Sequence, residues 1–314
     1  RTETFKKLWE KALRKVEFHS RQSGLGYTAK EKVNSQQLSL FLPQHDDIDS
    51  TDLENIFENL RANLLFIFDE FDSINSKKAR TRFADTIKAL SDNCPHVSIL
   101  LVGIGESVTE LIGDHQSLER CLKQVKMPRM SDDELEGIIE NGCDRMNLKI
   151  TTTVKGKIIE YSAGFPHYTH LIAKYAARNT IISEKQTIEL EDFDFSVREV
   201  IKNANQQIRD SYQMAVITSK GVSQFKSVVS AIALAEIDDY ACSSTNQILK
   251  KFNEITGKDV QSSAITYNLG MLCKEERGTL LEKIGTKRNI KYRFKNPLMK
   301  AYIKLILHDE EIDE

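Results

Sequence analysis

Two adjacent carboxylates end an apolar run. In "LLFIFDEFDSI", residues 64–74, five apolar residues lead directly into Asp69 and Glu70. Such a run reads as a buried strand, and the carboxyl end of a buried parallel strand opens onto the crevice where α/β sheets bind ligands. An ionised oxygen at that place suits Mg²⁺, held generally through water. A second carboxylate one residue further can orient and activate an attacking water. The competing reading is a strand that reaches the surface and continues into an acidic loop.

Other residues with chemical potential lie further along. The second apolar run, "VSILLVGIGES", ends near Glu106 and Ser107, with Gly103 and Gly105 between. A polar ligand sensor and a glycine turn both fit that pattern, but the third glycine of a dinucleotide fingerprint is missing. Arg120 sits in "HQSLERCLKQVKMP", on an expected helix that leads into a strand at "KQVKMP". In "SAGFPHYTHL", Gly164 and Pro166 separate two helical stretches, followed by His167 and His170. No acidic ligand stands at helical spacing from those histidines, which argues against a metal site. Finally, residues 283–295, "KIGTKRNIKYRFK", hold six basic residues and no acidic one. Lys283, Lys287, Arg288, Lys291 and Arg293 are candidate phosphate contacts there, with Tyr292 and Phe294 interleaved.

These residues need elements to hold them. Helices are expected over 2–18 and from a capping box at Thr51–Glu54 to about Leu60. Another is expected over about 77–92, between strands at Leu64–Phe68 and Val97–Val102. Continuous apolar strands separated by a helix predict a parallel sheet covered on both faces. Residues 20–50 read as a polar loop with one short strand around Leu38–Leu42. Ser131–Glu134 is a second capping box, opening a helix to about Met146. Helices at Val154–Ser162 and Tyr168–Thr180 follow, then a helical connector over 191–211. Three short helices (about 225–235, 243–254 and 260–273) precede a hairpin turning at Gly285–Asn289. Helices followed by a hairpin describe a winged helix-turn-helix. The fold class expected is α/β, a partial parallel sheet with a helical lid and a winged helix. The expected boundaries are 1–130 for the core, 131–211 for the lid and connector, 212–308 for the winged helix, and 309–314 for an acidic tail.

Composition sets outer bounds. Of 314 residues, 40% are hydrophobic and 29% charged, as in a globular protein. A formal net charge of −2 predicts no bulk attraction to nucleic acid. No apolar run approaches the roughly 18 residues of a membrane span. The five scattered cysteines form no CxxC, which argues against a zinc site or disulfide framework and suits a cytoplasmic location.

Taken in order, these pieces resemble AAA+ ATPases of the origin-recognition and STAND type. The stretches carrying the resemblance are "LLFIFDEFDSI", "SILLVGIGES", "HQSLERCLKQVKMPRMSDDEL", "GFPHYTHL" and "YRFKNPLMKAYI". It implies ATP and Mg²⁺ as cofactors, with Asp69 and Glu70 matching Walker B. Ser107 or Glu106 matches the γ-phosphate sensor, and Arg120 an arginine finger reaching a neighbouring subunit. Gly164, Pro166 and His167 match a lid turn on the adenine side of the nucleotide. The resemblance further implies a homo-oligomer formed through AAA+ contacts when ATP is bound. The chain departs from the family where a Gly-x-x-Arg sensor would stand, since Tyr168 and Thr169 occupy that area.

The family also needs Gly-x-x-x-x-Gly-Lys-[Ser/Thr], whose backbone N–H groups cradle phosphates. No such motif occurs in these 314 residues; "SGLGYTAKEK" has the wrong spacing and no preceding strand. In the family, a helix like "TETFKKLWEKAL" comes after the second strand, so the loop is expected upstream of Arg1. Two functions stay open: an ATP-binding and hydrolysing switch associated with double-stranded DNA, in replication, transposition or mobile-element defence, or a non-catalytic DNA-binding or protein-interaction module with a degenerate ATPase fold.

Overall fold

A computed structural model describes residues 4–22, 32–103, 118, 120–217, 224–238, 240–285 and 289–313. The chain forms two compact units, Arg1–Lys126 and Met127–Glu314. Elements are numbered in order among the described residues.

The first unit begins with helix α1 (Phe5–Leu13), capped by Thr4 and burying Phe5, Trp9 and Leu13. The helix expected to reach residue 18 stops at Leu13, and two strands, β1 (Glu17–Gln22) and β2 (Lys32–Gln37), pair antiparallel across its expected end and the expected loop. Their sequences, "EFHSRQ" and "KVNSQQ", carry one aliphatic or aromatic residue each, so they give no alternating apolar signal. Leu38–Phe41 is a 3-10 turn, not the expected strand. Helix α2 (Ser50–Glu58) starts earlier than Thr51–Glu54 implied, because Asp49 and Asp52 form the reciprocal cap. Asp47 also has a structural duty. It pairs with Arg82 at 2.7 Å and Lys78 at 2.8 Å, and those two cations hold its carboxyl down to about 2.

Strands β3 (Leu64–Phe68) and β4 (Val97–Leu101) run parallel, with Leu64 opposite Val97 and Phe68 opposite Leu101. Helix α3 (Lys77–Asn93) connects them. One face of this sheet is packed. Phe66 and Phe68 meet the Trp9 indole, each with ring centroids 5.2 Å apart, and Phe83 of α3 stacks on that indole at 6.0 Å. Among the described residues the opposite face is exposed: Leu65 is 60% exposed, Ile67 59% and Leu100 45%. The expectation of a sheet covered on both faces is therefore corrected. The expected strand at "KQVKMP" is corrected too: residues 122–130 carry no regular structure, and Val125 is 70% exposed. An extended segment with no neighbouring strand to pair with has no ladder to join.

The second unit is mainly helical. Helix α4 (Asp132–Met146) opens with the expected Ser131–Glu134 capping box. Strand β5 (Lys149–Ile150), helix α5 (Thr152–Ser162), helix α6 (Pro166–Ile182) and strand β6 (Thr187–Ile188) follow, with β5 and β6 parallel. The expected connector consists of α7 (Leu190–Lys202) and α8 (Gln206–Val216). Helix α9 (Gln224–Leu234), strand β7 (Ser243–Ser244), helix α10 (Thr245–Thr256) and helix α11 (Ser263–Leu272) come next. Strands β8 (Leu281–Ile284) and β9 (Lys291–Phe294) form the hairpin, and the sheet order is β7-β9-β8, antiparallel. At the turn, Gly285 has φ +91°, and a Cβ there would sit 2.1 Å from the Asn289 carbonyl oxygen, so only glycine fits.

Helix α12 (Met299–Asp313) ends the described chain. The acidic residues expected as a tail belong to it: Asp309 and Asp313 pair with Arg198 of α7, and Glu310 with Lys226 of α9. One core runs through the unit, joining Ile139, Val154 and Phe193 to Val228, Phe252 and Tyr292. No break in packing falls at 211, since α8 crosses it and buries Ile208 and Ala215 in that core. Among the described residues no helix is long and apolar enough to cross a membrane.

Candidate functional site

Asp69 and Glu70 stand out from the end of β3 between two backbone hydrogen bonds to one residue. The Val102 N–H donates to the Phe68 carbonyl, and the Phe71 N–H donates to the Val102 carbonyl, both at 2.9 Å. The two acidic residues are the excursion between those rungs, and both are exposed. Phe71, fully buried in the aromatic core, fixes the far side. Arg80 donates to the carbonyls of Ile74 (2.6 Å) and Asp72 (3.1 Å), which pins the turn that follows.

Glu70 adopts the left-handed conformation, φ +55° and ψ +37°. A non-glycine residue there costs about 1–2 kcal/mol. Its N–H donates to Asp69 Oδ1 at 2.8 Å, which stabilises the kink and orients the aspartate. Asp69 Oδ2 has no hydrogen-bond partner among the described residues. One exposed carboxylate at the C-terminal end of a parallel strand fits a Mg²⁺ ion that retains most of its waters.

Arg120 lies in a turn, two-thirds exposed, 3.6 Å from Asp92 of α3. An exposed pair of that length is worth little and leaves the guanidinium available. The structure brings Arg120 into the same unit as the two carboxylates. Ser107 and Glu106 lie outside the described residues, as do Lys287 and Arg288.

The lid-turn residues belong to the second unit. Gly164 has φ +80°, and a Cβ on it would lie 2.8 Å from the Arg129 Cβ. The Met130 N–H donates to the Gly164 carbonyl at 3.1 Å, so the glycine lets residues 129 and 130 press against the turn. Pro166 is the first residue of α6, where its missing N–H costs nothing. His167 is exposed in the first turn, edge-on to Tyr168.

Sequence reading missed three cations in this unit. Arg129 stacks on Phe165 at 4.5 Å and donates to the Ala163 carbonyl. Lys304 donates to the Glu160 carbonyl at 3.1 Å, and Lys300, 8% exposed, to the Ala235 carbonyl at 2.8 Å. Burial, then Lys304 and Arg129, push the Lys300 ammonium down to about 8. The signal was present in "MKAYIKLIL": two lysines at helical spacing inside an apolar helix.

In the hairpin, the basic stretch is partly neutralised from outside it. Lys291 pairs with Asp238 at 2.7 Å and Arg293 with Glu282 at 2.8 Å, while Lys283 is exposed. Tyr292 and Phe294 are buried and anchor β9 on the helices.

No family model matches the chain, and no curated protein does. Among solved structures the chain is similar to Cdc6p from Pyrobaculum aerophilum, at 13% identity over 86% of this chain and 74% of that one, with a TM-score of 0.38. It is also similar to the Thermotoga maritima RuvB Holliday junction branch migration motor, at 15% identity over 83% and 75%, TM-score 0.40. The ORC2 protein of Aeropyrum pernix, solved as ADPNP–ADP complexes, gives 13% identity over 83% and 70%, TM-score 0.40. A likeness this loose carries no argument about fold or function.

Proposed function

We propose that this chain is part of an ATP-driven switch of the AAA+ type, with a winged helix that associates with double-stranded DNA. One observation carries the reading: the Asp69–Glu70 kink at the carboxyl end of a parallel strand, strained at Glu70 and fixed on both sides by Val102. Strain of this sort persists where the surroundings over-determine it, and it clusters at functional sites. Asp69 would hold Mg²⁺ through water, and Glu70 would orient the water that attacks the terminal phosphate. In this reading Ser107 serves as the sensor, and Gly164, Pro166 and His167 are the candidate nucleotide contacts of the second unit considered by itself. When bound, ATP supplies the phosphoryl group, and Mg²⁺ neutralises its developing charge. The phosphate-cradling loop this reading requires is not among the 314 residues.

The test uses the longest polypeptide that its coding sequence specifies. Asp69→Asn should weaken ATP binding about tenfold when Mg²⁺ is present and leave binding in EDTA unchanged, by competition with a fluorescent ATP analogue. Equal loss in both conditions would assign Asp69 to the fold instead of the metal.

The order α9, β7, α10, α11, β8, β9 supports the winged helix. Because Lys291 and Arg293 already hold carboxylates, the phosphate contacts fall first to Lys283, Lys287 and Arg288. Replacing these three by Ala should lower duplex affinity and flatten the slope of log K against log salt by up to about three. Lys291→Ala should change that slope less. Fluorescence anisotropy at several salt concentrations measures both. Equal slopes in wild type and triple variant would favour the second reading, a protein-contact module, which the two hairpin ion pairs support.

A further inference from the structure

An open groove of about 720 Å³ lies in the second unit, between the C-terminal half of α8 and the end of α11 with the turn after it. Its apolar surface comes from Met214, 49% exposed, Ile217, 64% exposed, and Met271. Its charged lining residues are Asp210, Glu276 and Arg277. The arginine is committed elsewhere. Its guanidinium donates to the Ile217 carbonyl at 2.7 Å, closing the C-terminus of α8, and stacks on Phe225 at 4.1 Å. Among the described residues, Asp210 accepts from the Gln206 side-chain amide and neither Asp210 nor Glu276 has an ion pair. The groove therefore presents Met214, Ile217 and Met271 as an apolar floor, with two carboxylates against one guanidinium in its lining.

We propose that this groove docks an amphipathic helix of a partner polypeptide, with an apolar ridge flanked by Lys or Arg. Its walls are α8 and the end of α11 with the 3-10 turn after it, with no sheet edge among the described residues, so a ridge of side chains at helical spacing fits between them. Methionine side chains are flexible and polarizable and re-pack around varied apolar anchors. Asp210 and Glu276 select the charge of the flanks, since like charges across an interface are penalised. Helix α1, basic and amphipathic, buries Phe5, Trp9 and Leu13 in its own core and is not the occupant. The inference does not depend on nucleotide or DNA binding.

The test labels the methionine methyls of the full chain with ¹³C; there are six methionines. Met214→Leu and Met271→Leu identify the two groove signals. A short Leu/Lys amphipathic helical peptide should shift those two signals and leave the others in place. It should bind about tenfold more tightly than the Leu/Glu peptide of the same pattern, and about tenfold more weakly to the Asp210→Asn, Glu276→Gln double variant. Absent shifts, shifts at the other methionines, or equal binding of the Leu/Glu peptide would overturn the proposal. Groove signals that move with protein concentration alone would overturn it in favour of a second copy of this chain as occupant.

Discussion

Glu70→Gln, made in the longest natural polypeptide containing these residues, should keep ATP and Mg²⁺ bound while turnover falls by two to four orders of magnitude, roughly the range for losing a positioned general base. The amide preserves size and shape, and Asp69 keeps the metal. Steady-state phosphate release and nucleotide retention on the same sample measure the two effects. A second substitution separates chemistry from folding. Glu70 pays for its left-handed backbone, so Glu70→Gly should raise stability by about 1 kcal/mol while turnover is lost as in Glu70→Gln. If Glu70→Gln turns over normally, Glu70 has no part in the mechanism. The same assay reaches Arg120. As a finger acting on a neighbouring subunit, Arg120→Ala should spare affinity and cut hydrolysis, and mixing it with Glu70→Gln should restore part of the activity. A mixture no more active than its components, with mixed oligomers shown to form, would remove Arg120 from a shared site.

The second large effect concerns Lys300. Its ammonium titrates at about 8 in the fold, against 10.5 for an ordinary lysine, mainly because it is buried. The sign follows from counting protons. Above about 10.5 both folded and unfolded chains hold a neutral amine, and no penalty exists. Between 10.5 and 8 the unfolded chain takes up the proton first, so stability falls as pH falls. Below about 8 the folded chain carries the buried charge and the full cost, on the order of 3 kcal/mol, is in place. Lys300→Met should therefore remove that slope and stabilise the protein at pH 7. The gain is smaller than the full cost, because the Ala235 carbonyl loses its donor. Urea unfolding from pH 7 to 10 makes the comparison. Parallel pH dependences in wild type and variant would mean that Lys300 is not the group responsible.

Much of this architecture was legible where a pattern is local. The apolar runs at 64–68 and 97–101 became paired parallel strands, and the Ser131 and Glu134 spacing became a reciprocal cap. The hairpin turn fell where Gly285 and Asn289 predicted. The misses have physical causes. Strands β1 and β2 lack an apolar alternation, so nothing in their sequence distinguishes them from loop. The exposed face of β3 and β4 was hidden because a continuous apolar run looks the same whether one face is covered or two. For the site, the two carboxylates were readable as a pair, yet the strain at Glu70 and the grip of Val102 exist only in three dimensions. The basic run at 283–295 looked uncompensated because Asp238 and Glu282 lie outside that stretch.

The single core of the second unit bears on how such a protein changes over generations. Segments with separate cores can be exchanged between genes one at a time, because each brings its own stability. Here Val154 and Phe193 on one side of residue 211 share their packing with Val228, Phe252 and Tyr292 on the other. A crossover at that point would join two half-cores shaped for different partners, with cavities or clashes costing several kcal/mol. A recombination that preserves this packing therefore carries the residues on both sides of position 211 together.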